Sequence, residues 1–346
     1  MTVGIRVEAG RDIATGHLMR CLAIGKELEK VEMGVVFLYK LQSTEILLNQ
    51  SQVRCFRICD GDVSFRDELP YVFAAIESLH MNLIIVDGYN FSIEYLSLLK
   101  DVIAVCSIDD FIRAENPADA IINYNVYAEG KHSQFGRDTA RKLMLGPYYT
   151  PLREEFQNVI PREPTRAVVD ILVTTGGTDP FDFMGNFLSE VITMKNFDGM
   201  RFHAVIGSLF PETHIIKELR GRRDVIFHEN VQSMSSLMTG SDLAVSAGGS
   251  TLYELCRCGL PTVSISFADN QLPAVKEFHE RGIIPFCGDL RTDIQATIRQ
   301  CIFCLQHYIN DYPQRVKISH DMSALVDGRG ASRIATELES LLAERN

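Results

Sequence analysis

Residues 3–20 read VGIRVEAGRDIATGHLMR and join an apolar run, a glycine-containing loop and the start of a helical pattern. The run at residues 3–7 is short and almost wholly apolar, which indicates a buried β-strand. From His17 to Lys30 the apolar residues recur with a helical period. A strand, a glycine loop and a helix in this order predict the first βα unit of a parallel α/β sheet.

The same alternation continues on both sides of a polar stretch that contains Pro147, Pro151, Pro161 and Pro164. Strands are predicted at residues 3–7, 34–38, 53–58, 83–87, 102–108 and 120–123, and again at 168–175, 201–206, 225–228, 243–246, 262–266 and 283–285. Helices are predicted at residues 17–30, 44–49, 71–80, 93–99, 183–194, 233–239, 252–258, 272–281, 293–308 and 331–344.

The alternation predicts an α/β protein with two doubly wound, Rossmann-like domains that face a cleft. Their expected bounds are residues 1–150 and 165–330, followed by a C-terminal helix at residues 331–346. Ligands of such folds bind beyond the carboxyl ends of the strands, so the loops that follow strands are the candidate functional segments.

The composition restricts the class of ligand that the protein is expected to bind. The chain has 346 residues, 46% of them hydrophobic, and a formal net charge of −11. It lacks the basic footprint of a nucleic-acid-binding protein and any apolar run of about 18–20 residues that would cross a membrane. The nine cysteines without a signal-peptide pattern are typical of reduced cytoplasmic thiols. We expect a small phosphate-bearing ligand, no metal and no cofactor.

The loop after the first strand contains Gly16 and His17. Gly16 lets the backbone approach a ligand closely, and the helix N-terminus favours the neutral form of the His17 imidazole. A neutral imidazole accepts a proton, which suits a general base acting on water. The alternative is a histidine that only packs or hydrogen-bonds at the start of a helix.

Two glycine pairs follow strands of the second half. Gly176-Gly177 forms either an anion-binding nest or a tight turn between strand and helix. Gly248-Gly249 precedes Ser250 at a helix start, where backbone amides suit a diphosphate.

Polar side chains near these loops also suit a nucleotide sugar. Glu254 lies one helical turn after the second glycine pair, where it would accept hydrogen bonds from ribose hydroxyls; alternatively, Thr251-x-x-Glu254 is a capping box. Asn270 and Gln271 follow another strand and suit sugar or phosphate oxygens, although Asp269 and Asn270 also fit as N-caps.

Several motifs occur together in the order found in one family. They are IATGHLMRCL at 13–22, SIDD at 107–110, LGPYYTPLREEF at 145–156, GGTD at 176–179 and DGRGA at 327–331. On these motifs the chain resembles the UDP-2,4-diacetamido-2,4,6-trideoxy-β-L-altropyranose hydrolases of pseudaminic acid biosynthesis, from residue 5 to about residue 341. It departs from the family at Ala14 and Gly88, where members often have glycine and histidine.

The resemblance implies a glycosyltransferase-B-like architecture that uses water in place of an acceptor. It implies His17 as the catalytic base, Tyr89 as a second catalytic residue, and UDP bound to the second domain. The residues expected to bind substrate are Gly16, Arg20, Asp87, Gly176, Gly177, Asp179, Gly248, Gly249, Ser250, Thr251, Glu254, Asn270 and Gln271.

The expected activity is therefore metal-independent cleavage of a UDP-sugar at the anomeric carbon. Two alternatives stay open from the sequence. A glycosyltransferase that passes the sugar to an acceptor would use the same UDP-binding residues. A non-catalytic nucleotide-sugar-binding protein would bind UDP without turnover.

Overall fold

The structure is a computed structural model that describes residues 1–9, 16–134, 140–207, 210 and 212–344. The chain divides into two compact units. Unit 1 comprises Met1–Glu154 and Arg329–Asn346, and unit 2 comprises Glu155–Gly328.

In the described part of unit 1, seven parallel strands form one sheet in the order β3-β2-β1-β4-β5-β6-β7. The strands are β1 Thr2–Val7, β2 Gly34–Tyr39, β3 Cys55–Arg57, β4 Leu83–Asp87, β5 Ala104–Ile108, β6 Ala120–Asn123 and β7 Lys142–Leu145. The helices are α1 Gly16–Lys30, α2 Gln42–Gln50, α3 Leu69–Ser78, α4 Ile93–Lys100 and the C-terminal helix Gly330–Ala343. The central strands are buried almost throughout, which explains their continuous apolar sequences.

The C-terminal helix packs on unit 1, although the whole of unit 2 separates it in sequence from the rest of that unit. Arg333 Nη1 donates to the carbonyl of Tyr148 at 2.8 Å, and Lys142 Nζ donates to Ser340 Oγ at 3.2 Å. A Cβ at Gly330 would lie 2.2 Å from the carbonyl oxygen of Thr150, so only glycine permits this approach.

In the described part of unit 2, six parallel strands form a second sheet in the order β10-β9-β8-β11-β12-β13. The strands are β8 Asp170–Thr174, β9 Arg201–Ile206, β10 Val225–Glu229, β11 Leu243–Ala247, β12 Thr262–Ser266 and β13 Phe286–Asp289. The helices are α5 Phe183–Val191, α6 His214–Leu219, α7 Met234–Gly240, α8 Thr251–Cys258, α9 Leu272–Glu280, α10 Ile294–Asn310 and α11 Tyr312–Leu325.

The predicted fold class, two parallel α/β units, is confirmed. In each sheet the strand order reverses once, between β1 and β4 in unit 1 and between β8 and β11 in unit 2. Doubly wound sheets bind their ligands at this switch point, beyond the carboxyl ends of the strands. The loops that follow these four strands are therefore the candidate ligand-binding segments.

The strand predicted at residues 283–285 is wrong. The backbone N–H groups of Ile283 and Ile284 donate to the carbonyl of Phe278, so this apolar run closes the end of helix α9. Pro285 has no N–H to donate, and the ladder of β13 begins at Phe286. The sequence also missed β7, α6 and α11. Helix α11 has no strong apolar stripe, and its start depends on the Asp311 side chain, which accepts from the N–H of Gln314 at 2.9 Å.

Candidate active site

His17 is the second residue of helix α1 and is 7% exposed. Its Nδ1 lies 2.6 Å from Oδ1 of Asp87, the last residue of β4. Asp87 pairs with Val7 at the end of β1, so the strand reversal itself brings the two side chains together. Gly16 is the first residue of the helix, while residues 10–15 of the predicted loop lie outside the described residues.

Asp87 is 1% exposed and uses both carboxylate oxygens within unit 1. Oδ1 accepts from Arg20 Nη2 at 2.5 Å in addition to contacting His17, and Oδ2 accepts from Arg20 Nε at 2.6 Å and from the Cys21 thiol at 3.3 Å. Burial disfavours the ionised carboxylate, but Arg20 and His17 outweigh it and hold the pKa of Asp87 well below its usual range. Asp87 therefore orients His17 rather than presenting a free oxygen to a ligand.

Arg20 joins Asp87 to Asp110, a carboxylate of the SIDD motif at 107–110 that was not among the predicted site residues. Asp110 Oδ1 accepts from Arg20 Nη1 at 3.1 Å, and Asp110 Oδ2 accepts from Arg20 Nη2 at 3.0 Å. Arg20 Nη1 also donates to the Tyr124 hydroxyl at 3.0 Å. Burial disfavours the guanidinium charge, yet Asp110 and Asp87 hold the pKa of Arg20 well above its usual range. The position of Asp110 two residues after β5 is the signal that would have found it.

Tyr89 forms the exposed side of this cluster. Its ring meets the His17 ring edge-to-face at a centroid distance of 4.7 Å, and its hydroxyl donates to Asp110 Oδ2 at 3.3 Å. The Phe111 ring packs against Tyr89 at 5.0 Å. Tyr89 is 43% exposed and Phe111 is 52% exposed, so these two rings present an aromatic surface beside His17.

Gly88 explains one departure from the resembled family. Its φ is +156°, and a Cβ at this position would lie 2.9 Å from the Phe91 ring. A side chain would collide with that ring, so in this chain the turn between Asp87 and Tyr89 requires glycine.

In unit 2, three neighbouring strands, β8, β11 and β12, end next to one another. Thr175 follows β8 and Ser266 ends β12, and these residues are 3% and 0% exposed. Within the residues that the structure describes, neither hydroxyl has a hydrogen-bond partner. Both hydroxyl oxygens are enclosed by protein atoms, and buried hydroxyls without partners are costly.

The predicted glycine pair Gly248-Gly249 follows β11, between these two hydroxyl-bearing strands. A Cβ at Gly248 would lie 2.4 Å from Val275 Cγ1, whereas a Cβ at Gly249 would meet no described atom within 4 Å. Gly248 therefore serves close packing against α9, and Gly249 leaves space at the strand end.

The capping-box alternative for Thr251 and Glu254 is wrong. Thr251 is the first residue of helix α8, and the N-cap position is held by Ser250 without a side-chain hydrogen bond to the helix. Glu254 lies in the first turn and is partly exposed.

The N-cap alternative for Asp269 and Asn270 is also wrong. Both belong to a 3-10 turn, Asp269–Gln271, that precedes α9. Asp269 Oδ1 accepts from Arg291 Nη1 at 2.7 Å, and Gln271 Oε1 accepts from the N–H of Phe267 at 3.0 Å. These bonds fix the loop after β12 from both sides.

Gly176 and Gly177 lie after β8, and a Cβ on either would meet no described atom within 4 Å. Asp179, two residues later, is fully buried. Its oxygens accept from the N–H groups of Phe183 at 3.0 Å and Met184 at 2.8 Å, at the start of α5. Burial raises the pKa of Asp179. Its carboxylate therefore holds the glycine loop to the helix, a structural role that the sequence analysis did not anticipate.

The described residues contain no group of three or more histidine, cysteine, aspartate or glutamate side chains arranged to hold a metal ion. Across the same part of the chain, every helix falls short of the length and apolar character needed to span a membrane.

Comparison with solved structures identifies the class of fold. The crystal structure of MurG from Acinetobacter baumannii superposes with a TM-score of 0.66 at 13% identity, covering 98% of this chain and 99% of that one. The chain therefore has the two-domain, parallel-sheet α/β fold of the glycosyltransferase-B-like proteins.

Two sequence relatives have higher identity and more specific names. The spore coat polysaccharide biosynthesis protein SpsG of Bacillus subtilis is 24% identical over 351 residues, covering 99% of this chain and 98% of the relative. The pseudaminic acid cytidylyltransferase and UDP-2,4-diacetamido-2,4,6-trideoxy-β-L-altropyranose hydrolase of Helicobacter pylori is 26% identical over 209 residues. That match covers 58% of this chain and 37% of the relative's length. No protein-family model matches the chain.

Proposed function

We propose that the protein hydrolyses a UDP-sugar at the anomeric carbon, releasing UDP and a free 2,4-diacetamido-2,4,6-trideoxy sugar. The observation that carries this proposal is the 2.6 Å contact between His17 Nδ1 and the buried Asp87 carboxylate. The name of the Helicobacter pylori relative supports the reaction and the sugar.

In this proposal His17 is the general base. When the imidazole is neutral, the Nδ1–H group donates to Asp87 Oδ1, and the unprotonated Nε2 is then free to take a proton from water. In the serine protease triad a buried carboxylate likewise fixes the tautomer of the catalytic histidine. In this proposal water takes the place of the serine. The hydroxide equivalent attacks the anomeric carbon opposite UDP, which inverts its configuration.

UDP would bind to unit 2. A Cβ on Gly176, Gly177 or Gly249 would meet no described atom within 4 Å, so these glycines, which follow the adjacent strands β8 and β11, leave space for a phosphate. Backbone N–H groups there would stabilise the negative charge that develops on the departing diphosphate. Because UDP leaves readily when its charge is held in this way, the reaction needs no metal ion in the proposal.

A glycosyltransferase is the second candidate. The His17–Asp87 pair would activate a sugar hydroxyl as well as water, and the exposed rings of Tyr89 and Phe111 offer a surface on which an acceptor would stack.

The test uses the purified protein with the UDP-linked diacetamido sugar in ¹⁸O-water, without added metal or acceptor. Release of UDP with the label on the sugar supports hydrolysis at the anomeric carbon. Release only after an acceptor is added supports the transferase, and UDP binding without release under either condition contradicts both enzymatic readings.

A further inference from the structure

Arg20 lies close enough to His17 to affect which of its two ring nitrogens carries the proton. Its Nη2 is 3.0 Å from His17 Nδ1, the same nitrogen that contacts Asp87 Oδ1. A guanidinium donates hydrogen bonds and never accepts them. If Arg20 donated to Nδ1, that nitrogen would have to be unprotonated. The neutral imidazole would then carry its proton on Nε2, where it cannot act as a base.

The remaining contacts of Arg20 account for all five of its N–H groups. Nε donates to Asp87 Oδ2, and the two N–H groups of Nη1 donate to Asp110 Oδ1 and the Tyr124 hydroxyl. The two N–H groups of Nη2 have Asp87 Oδ1 and Asp110 Oδ2 as acceptors. No donor of Arg20 is left over for His17 among these contacts.

We infer that Asp110, acting through Arg20, preserves the Nδ1–H tautomer of His17 that Asp87 favours. Asp110 occupies one N–H of Nη2 and so withholds it from His17 Nδ1, which keeps the proton on Nδ1 and leaves Nε2 unprotonated. Asp110 is thus a positioning residue for the base, and this role deepens the proposed function and rests on it for its catalytic meaning.

The variant Asp110→Asn tests this role with little change in shape. Asn125 Nδ2 and Arg20 Nη1 both donate to the Oδ1 position, so the new amide oxygen is favoured there. The amide NH₂ then takes the Oδ2 position, next to the Tyr89 hydroxyl and Arg20 Nη2. Nη2 loses an acceptor, and its free N–H lies within reach of His17 Nδ1.

The measurement is ¹⁵N NMR of histidine-labelled protein without substrate, at a pH above the ordinary histidine range. Protonated and unprotonated ring nitrogens are distinguished by their chemical shifts, and the His17→Gln spectrum identifies the His17 signals. We expect Nδ1–H in the wild type, a shift of population to Nε2–H in Asp110→Asn, and no shift in Asn125→Ala, which leaves both acceptors of Nη2 in place.

A double variant tests whether Asp110 acts on His17 through Arg20. In Arg20→Met with Asp110→Asn the competing donor is gone, so the Nδ1–H tautomer should return. An unprotonated Nε2 in Asp110→Asn, or failure of the double variant to restore Nδ1–H, would overturn the inference. Should Asp110→Asn not fold, an Nε2–H tautomer in the wild type would overturn it equally.

Activity gives a second, separate readout. If the proposed hydrolysis is right, Asp110→Asn should lower kcat about 10-fold to 100-fold with little change in KM, within the contribution of about 10²–10⁴ typical of general bases. Absence of UDP release from the wild-type protein would contradict the proposed function, whereas the tautomer measurement judges the inference without any turnover.

Discussion

The two units place different chemistry at equivalent positions of their sheets. At the switch point of unit 1, His17, Asp87, Arg20 and Asp110 bond to one another and satisfy their charges within the protein. At the switch point of unit 2, the described strand ends carry glycines and two buried hydroxyls that lack partners.

This difference separates two requirements of catalysis. A base must be held in one orientation and one protonation state before substrate arrives, and a saturated network of buried charges does that. An anionic ligand needs donors that are still available when it binds. We therefore expect changes in unit 1 to affect turnover and changes in unit 2 to affect UDP affinity.

The largest effect should come from His17→Gln. Loss of the proposed base should reduce the rate of UDP release by about 10²–10⁴-fold. UDP affinity, measured by calorimetry, should stay the same because the proposed UDP-binding residues lie in unit 2.

A matched control is His320→Gln, which alters an exposed histidine whose Nε2 lies 3.2 Å from Glu163 Oε1 in unit 2. It should leave both the rate and the affinity unchanged. An unaltered rate in His17→Gln would remove this residue from the mechanism.

The two buried aspartates should give opposite pH dependences of stability. The pKa of Asp87 is lowered in the folded state, so its contribution is complete above its unfolded pKa of about 4 and is lost as the pH falls below that value. In urea unfolding from about pH 6 to pH 2, the midpoint should therefore fall less steeply for Asp87→Asn than for the wild type. At neutral pH that variant should be less stable by about 3–5 kcal/mol, because Arg20 loses a buried partner.

For Asp179 the pH dependence of its contribution to stability has the opposite sign. Its folded pKa is raised, so its contribution is complete below the unfolded pKa of about 4 and is lost as the pH rises through the folded value. The stability of Asp179→Asn relative to that of the wild type should accordingly increase as the pH rises. Parallel midpoint curves for the wild type and both variants would contradict the opposite electrostatic roles of the two residues.

The smallest effects concern the unpartnered hydroxyls. Thr175→Val and Ser266→Ala should each leave UDP affinity unchanged, because neither buried oxygen is open to a ligand. Each should leave stability unchanged or slightly higher, because a buried polar atom without a partner is removed.

Ser264→Ala provides the matched control on the same strand as Ser266. Ser264 Oγ donates to the carbonyl of Pro285 at 3.0 Å, so its loss should cost about 1 kcal/mol of stability and leave UDP affinity unchanged. If Ser266→Ala loses as much stability as Ser264→Ala, the Ser266 hydroxyl does not lack a partner.

Much of the fold was predictable because the strands of parallel sheets are buried on both faces and appear as apolar runs. The strand prediction at residues 283–285 was wrong because burial alone does not distinguish a strand from the closing turn of a helix. Ile284 is fully buried, yet its N–H bonds back to Phe278. Helix α11 was missed for the opposite reason, since its sequence lacks a clear apolar stripe.

The site was predictable only to the level of strand ends. That rule selected His17, and the family resemblance added Asp87, but spacing cannot show which of several carboxylates reaches Arg20. Asp110 does so across 90 positions of sequence. Nor could the sequence distinguish the buried Asp179, bonded to backbone N–H groups, from an aspartate that faces a ligand.

The placement of the C-terminal helix has a consequence for how the chain folds during synthesis. Unit 2 is continuous from Glu155 to Gly328, whereas unit 1 needs Gly330–Ala343 to complete its surface. On the ribosome, the His17-bearing unit lacks its last helix until all of unit 2 has been translated. Unit 2 has all of its residues earlier, so a nascent chain that stalls after residue 328 carries a complete nucleotide-binding candidate and an incomplete catalytic one.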